Sequence, residues 1–66
     1  MSTTAPAADR LLYTPEEAAA ALAIGRSTLY ELMAAGAVKY IKLGRCRRIR
    51  RSDLETYVAH LVPLSS

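Results

Sequence analysis

Residues 39–51 read KYIKLGRCRRIRR and form the most strongly patterned stretch of the chain. Within them, two runs at 39–43 and 47–50 mix Tyr, Ile and Leu with cations on either side of a short link, Gly44-Arg45. Two β-favouring runs joined by a short glycine-containing link predict a β-hairpin. Its inward-facing residues are expected to be Ile41, Leu43 and Ile49. Because a lone hairpin is only marginally stable in water, the rest of the chain must supply a body that holds it.

The same stretch concentrates the positive charge of the protein. It holds seven of the nine Lys and Arg residues and none of the six acids, so the net charge of +3 divides into +7 here and −4 elsewhere. Soluble surfaces usually mix both signs, and like charges this close repel one another. The pattern therefore favours a polyanionic partner, nucleic acid first, over a solvated charge run that keeps the protein soluble.

Length and composition exclude several other classes of function. A chain of 66 residues without Trp or Phe makes one domain with a small core, which is a poor setting for an enclosed substrate pocket. The single cysteine excludes an internal disulfide and a multi-cysteine metal site. We read Cys46 as a bystander and His60 as a residue suited to a helix C-terminus. No nucleophile, base and orienting group come together, so we expect no enzyme, cofactor or metal.

The organisation along the chain is simple. Residues 1–9 are small and polar and are expected to be a disordered leader, residues 10–63 the domain, and residues 64–66 a tail. The lone cysteine and the lack of a signal sequence suggest a reducing cytoplasm. No apolar run is long enough to span a membrane.

Two helices are predicted before the hairpin. Thr14 suits an N-cap with Pro15 after it and Glu17 closing a capping box, and this helix should run to about Leu22. Its inner face is expected to hold Ala18, Ala19 and Leu22. The second helix should run from Arg26 or Ser27 to Ala35, followed by Gly36 as terminator. Its buried residues, spaced i, i+3, i+4, are Leu29, Leu32 and Met33.

A third helix is predicted after the hairpin. Ser52 and Glu55 have the spacing of a second capping box, and Pro63 is expected to end the helix. One face would hold Leu54, Tyr57, Val58 and Leu61. The fold class is therefore mainly α with a small β-hairpin: a winged helix-turn-helix, with a helix-turn-helix, a two-stranded wing and a third helix.

Five motifs in unbroken register resemble a known family over about fifty of the 66 residues. They are TPEEAA (14–19), RSTLY (26–30), GAV (36–38), IKLGR (41–45) and RIRRSDL (48–54). The chain resembles the excisionase-type DNA-binding domain, a small winged-helix relative of the DNA-binding half of MerR proteins. The resemblance implies that the second helix enters the major groove of double-stranded DNA and that the wing lies along the adjacent minor groove or backbone.

The resemblance also implies a role. Many members are recombination directionality factors, which bend DNA near the attachment site of a phage or integrative element and favour excision by the integrase. The expected partners are thus double-stranded DNA and an integrase in the bacterial nucleoid, with cooperative self-association on tandem sites. Two alternatives stay open: a small transcription regulator of the same fold, and an interaction module that binds an acidic protein. The lack of an effector domain argues against a ligand-sensing MerR regulator.

The candidate contact residues lie in two groups. On the second helix they are Arg26, Ser27, Thr28, Tyr30 and Glu31, and on the wing they are Lys42, Arg45, Arg47, Arg48 and Arg50. Arg26 would contact a guanine edge or a phosphate, and Glu31 would accept from a cytosine amino group or only sit exposed. One wing arginine would enter the minor groove while the others hold phosphates. The alternatives are helix capping by Ser27 and Thr28, and ion pairing of one or two wing cations with nearby acids.

The chain also departs from the family pattern. Ala23 stands where glycine is common, and it would cost about 1 kcal/mol if the site needs a positive φ. Gly25 replaces a frequent serine cap and is an acceptable substitute. Glu31 replaces a frequently basic residue and Arg47 a common aromatic. The last two changes bear on which DNA sequence is preferred.

Overall fold

The computed structural model describes residues 10–63, and the predicted leader and tail lie outside this range. The elements are β1 (Leu12–Tyr13), α1 (Pro15–Leu22), α2 (Arg26–Ala34), β2 (Ile41–Leu43), β3 (Cys46–Arg50) and α3 (Arg51–Ala59). This order confirms the predicted fold class of a winged helix-turn-helix. Within residues 10–63, no helix is both long and apolar enough to cross a membrane.

The start of α1 is fixed by short-range hydrogen bonds. The Glu17 backbone N–H donates to Thr14 Oγ1 at 3.1 Å, and the Thr14 N–H donates to Glu17 Oε1 at 3.0 Å. The predicted capping box is therefore confirmed. The Thr14 N–H lowers the pKa of the Glu17 carboxyl, and the nearby Arg10 guanidinium, 2.8 Å from Glu17 Oε2, lowers it further.

The turn between α1 and α2 depends on a left-handed alanine. Ala23 has φ 59° and ψ 39°. Its N–H bonds Ala20 O at 3.0 Å and the Ile24 N–H bonds Ala19 O at 2.9 Å, which is the Schellman pattern of helix ends. The site at Ala23 thus has the positive φ that was considered from the sequence, and alanine adopts this conformation although it carries a Cβ.

The end of α2 repeats this cap with glycine. Gly36 has φ +80°, its N–H bonds Met33 O at 3.1 Å, and the Ala37 N–H bonds Leu32 O at 2.9 Å. A Cβ built on Gly36 would meet no described atom within 4 Å, so only the backbone conformation disfavours a side chain there. The two helix ends therefore share one hydrogen-bond pattern. The left-handed position holds glycine, the preferred residue, at Gly36 and alanine at Ala23.

We expect opposite effects from exchanging these two residues. Ala23→Gly should stabilise the fold by about 1 kcal/mol, and Gly36→Ala should destabilise it by a similar amount. Thermal unfolding followed by circular dichroism should show Tm shifts of roughly 4–8 °C in opposite directions. A fall in Tm for both variants would mean that the strain at Ala23 is not a determinant of stability.

The sheet has three antiparallel strands in the order β1-β3-β2. The wing hairpin, β2 and β3, pairs from Ile41↔Arg48 to Leu43↔Cys46, and Gly44 opens its turn with φ +62°. The third strand, β1, precedes α1, and its Tyr13 pairs with Ile49 of β3. The wing is therefore not an isolated two-stranded ribbon, because β1 ties it to the start of α1.

The core is small and draws on almost every element. Its buried apolar residues are Tyr13, Ala18, Ala19, Leu29, Met33, Val38, Ile49 and Leu54. The inner faces predicted for α1 and α2 are correct, although Leu22 and Leu32 are only partly buried at the edge of this cluster. In the hairpin, Ile49 is fully buried, Ile41 is half-buried and Leu43 is 51% exposed, so the inward prediction for Leu43 is wrong.

The third helix differs from its prediction at both ends. It begins at Arg51 with Arg50 as the N-cap residue and no side-chain cap, so the predicted Ser52 cap is wrong. Arg50, the last residue of β3, stands directly before the helix, and its guanidinium pairs with Asp53 in the first turn. The helix ends at Ala59, before Pro63.

The predicted inner face of α3 is correct only in its first two turns. Leu54 is buried and Tyr57 packs against the core, but Val58 and Leu61 are 50% and 53% exposed. The described part of the chain offers no further layer to cover the last turn of α3. The apolar spacing of this helix therefore continues beyond the core that it packs on.

Candidate nucleic-acid interface

The second helix presents its polar residues to solvent. Leu29 and Met33 point into the core, so the residues between and before them lie on the outer side. The exposed members are Arg26, Ser27, Thr28 and Glu31, and Tyr30 is half-buried. The N-cap residue is Gly25, which has no side chain to cap with, so the alternative that Ser27 or Thr28 serves as N-cap is wrong. These side chains therefore remain available for a ligand at the helix N-terminus.

Arg26 is held between two groups. Its Nε donates to Glu16 Oε2 at 2.7 Å, and its guanidinium lies over the Tyr30 ring, 4.9 Å from the centroid. The Arg26 guanidinium is the main cause of a lowered pKa of the Glu16 carboxyl, and Glu16 in turn raises the pKa of Arg26. The contacts join the start of α1 to the first turn of α2.

The wing places its cations around the turn and along β3. Arg45 occupies the turn, and Lys42 lies opposite Arg47 in the ladder, with both side chains exposed. The Arg47 guanidinium lies over the Tyr40 ring at 5.5 Å, and Arg48 Nη1 donates to the backbone O of Arg47 at 2.8 Å. Arg47 and Arg48, two of the candidate wing residues, are thus oriented by neighbouring groups of the same segment.

Arg50 stands at the far end of β3 and is bound to an acid. Its Nε and Nη2 donate to the two oxygens of Asp53 at 2.7 and 3.0 Å. Asp53 is 9% exposed, and the Arg50 guanidinium lowers the pKa of its carboxyl. Arg51 pairs with Glu55 at 3.1 Å, so two of the seven cations in residues 39–51 form ion pairs with acids.

The wing and the second helix meet at one shallow groove, here called the wing–helix groove. Its lining residues are Thr14, Pro15, Glu16, Tyr30, Arg45, Cys46, Arg47 and Arg48. The carboxylate of Glu16 lies near enough to both Arg26 and Arg48 that each lowers its pKa. The polar start of α2 and the arginine-rich end of the wing therefore lie on the same side of the molecule.

Two residues of this surface were missed in the sequence. Neither Glu16 nor Tyr40 stood among the candidate contact residues. The alternation of Tyr40 and Arg47 across a predicted hairpin was a usable signal for the ring contact. The Glu16–Arg26 pair left no such signal, because the two residues are ten positions apart and meet only through the helix-turn-helix geometry.

The structure places Cys46 and His60 at the surface. Cys46 is exposed, and His60 Nδ1 lies 2.7 Å from Thr56 O at the end of α3. Across residues 10–63, no three His, Cys, Asp or Glu side chains are grouped so that they could hold a metal ion.

The fold and this groove define a winged helix-turn-helix protein of the DNA-binding class. The chain belongs to the helix-turn-helix domain family, which matches residues 12–61. It is also similar to a protein of Saccharopolyspora erythraea named "Probable excisionase", with 43% identity over 58 residues. That match covers 88% of this chain but 59% of the relative, so the chain spans about three fifths of the relative's length. No solved structure matches the chain significantly.

Proposed function

We propose that this protein is an excisionase, a recombination directionality factor that binds specific double-stranded DNA sites, bends them and promotes excision by an integrase. The observation that carries the proposal is the wing–helix groove, which Tyr30 of α2 and three wing arginines line and whose Glu16 binds Arg26 at the start of α2. The similarity to a probable excisionase supports the choice of role within the DNA-binding class. On this proposal the protein acts by binding and shaping DNA and catalyses no step itself.

The second helix would read the major groove. Its N-terminal residues are exposed, and this is the part of a recognition helix that meets base edges. Arg26 uses Nε for Glu16 and would donate from its terminal nitrogens to O6 and N7 of a guanine. Ser27, Thr28 and Tyr30 would contact phosphates or bases. Glu31 lies four residues after Ser27 on the same outer face and would accept from a cytosine amino group.

The wing would hold the neighbouring minor groove and backbone. Arg47 and Arg48 are already oriented by Tyr40 and by a backbone carbonyl, which suits them to phosphate contacts. Arg45, in the turn, has no ion pair or hydrogen bond within residues 10–63, so it is the candidate for insertion into a narrow minor groove. Lys42 and Arg50 would add backbone contacts, although Arg50 must share its guanidinium with Asp53.

Several copies would act together on one DNA fragment. A domain with one short recognition helix and one wing reads only a few base pairs, so useful specificity requires adjacent sites. Binding to both grooves on one side of the duplex favours bending towards the protein. Tandem copies on bent DNA would bring together the arms on which an integrase, the proposed protein partner, assembles.

A band-shift series on the attachment region, with and without the integrase, tests this proposal. We expect several cooperative complexes, binding that weakens steeply with salt, and more excision product when the protein is added. A single independent binding step would contradict tandem assembly. Tight DNA binding with unchanged excision would favour a transcription regulator, and indifference to duplex DNA at low salt would favour an acidic protein partner.

A further inference from the structure

Glu16 is an exposed acid that lines the wing–helix groove together with Arg45, Arg47 and Arg48. A carboxylate on a DNA-binding surface repels phosphates, so its presence there weakens binding unless it does something else. Capping of α1 does not require it, because Glu17 makes the capping box with Thr14. The side chain of Glu16 instead reaches across the turn to α2.

The contacts of Arg26 show what Glu16 does there. The carboxylate holds the guanidinium at Nε, and the Tyr30 ring supports one of its faces. The Tyr30 side chain also lies close enough to the guanidinium to raise the pKa of Arg26, after the larger effect of Glu16. An arginine held by a carboxylate at Nε and by an aromatic ring on one face loses rotamer freedom before it meets DNA, so less is lost on binding.

We propose that Glu16 is a positioning residue that makes Arg26 selective for a guanine at one position of the DNA site. The inference rests on the proposed DNA-binding function and deepens it. Glu16 touches no base itself and acts by orienting the fork of Arg26 towards the O6 and N7 acceptors of guanine. The same carboxylate reduces the attraction of Arg26 and Arg48 for phosphates, so affinity for non-cognate DNA falls while discrimination rises.

This role predicts two opposite effects of Glu16→Gln. The substitution removes a negative charge from the groove, so binding to non-cognate duplex should become tighter. It also replaces the charge-assisted bond to Arg26 Nε by a weaker neutral one, so Arg26 is held less firmly and the preference for guanine at one position should fall about tenfold. An acid with only a repulsive role would produce the first effect without the second.

Selection from a random-sequence duplex library, followed by sequencing, tests the inference. We expect the wild-type protein to enrich guanine at one position, Glu16→Gln to lose most of that enrichment, and Arg26→Ala to lose it entirely. Arg26→Lys keeps the charge and leaves Glu16 in place but lacks the planar fork, so it should lose the guanine preference too. Glu55→Gln, which removes the same charge from the exposed pair with Arg51, should select the wild-type sequence.

The outcomes separate this inference from the function on which it rests. Wild-type guanine enrichment that persists in Glu16→Gln would overturn the positioning role and leave DNA binding intact. A guanine preference that persists in Arg26→Ala and then falls when Glu16→Gln is added would also overturn it, because Glu16 would then act without Arg26. Failure of the wild-type protein to select any sequence would contradict the proposed function itself.

Discussion

Replacing Arg45 and Arg48 together with alanine is expected to weaken binding to every duplex sequence by about a hundredfold. The two guanidinium groups line the wing–helix groove and would each lose a charged contact to the DNA backbone or minor groove, worth roughly 1.5 kcal/mol. Each phosphate contact also releases counterions, so the slope of log K against log salt should become shallower by about two. Titrations of a labelled duplex at several salt concentrations measure both quantities.

The control must remove the same charge from elsewhere on the protein. Arg10→Gln with Arg51→Gln also lowers the net charge by two, but these side chains pair with Glu17 and Glu55 outside the groove. The control variant should keep a salt slope close to that of the wild-type protein. If both double variants shift the slope equally, only total charge matters, and an unchanged slope in the Arg45/Arg48 variant would remove the wing from the interface.

Features of the fold that depend on a few neighbouring residues could be predicted from the sequence. The capping box of Thr14 and Glu17 and the glycine cap at Gly36 form because their partners lie within one turn of helix. The hairpin was also predictable, because β-favouring runs on both sides of Gly44 leave little choice of register. In each case the local preference and the tertiary structure agree.

Features that depend on distant parts of the chain could not be predicted. The spacing of Ser52 and Glu55 is a valid local signal for a cap. However, α3 begins at Arg51, directly after β3, and Arg50 at the end of β3 pairs with Asp53. The exposed positions of Val58 and Leu61 follow from how far the core extends, which periodicity does not report. The third strand of the sheet, β1, forms because Tyr13 pairs with Ile49, which is distant from it in the sequence.

The candidate site divides in the same way. The sequence indicates which residues are exposed on α2 and where the wing cations lie, because helical spacing and charge are local properties. It does not indicate that Glu16 binds the guanidinium of Arg26 or that the Tyr40 ring lies against Arg47, because both contacts form only in the folded protein. These contacts decide which guanidinium groups are oriented inside the protein and which are open to a ligand, so they matter more for specificity than the number of cations.

Ile49 is the residue through which the wing depends on the core. It lies in β3 between Arg48 and Arg50, is fully buried and pairs with Tyr13 of β1. Ile49→Ala is expected to cost 2–5 kcal/mol, because the truncation removes buried methylene groups and leaves a cavity where the sheet meets α1. A domain of this size has only a few kcal/mol of stability, so the variant should be largely unfolded at 25 °C.

Ile49→Val provides the matched comparison, with an expected loss of about 0.5–1.5 kcal/mol. Chemical denaturation of the wild-type and valine proteins should give similar m-values and a lower midpoint for the valine variant. Because DNA binds only the folded state, saturating duplex should restore helical circular dichroism to the alanine variant. A wild-type midpoint in Ile49→Ala would show that the wing is not anchored through this residue. An Ile49→Ala protein that keeps native circular dichroism but does not bind duplex would instead show that Ile49 orients the arginines beside it.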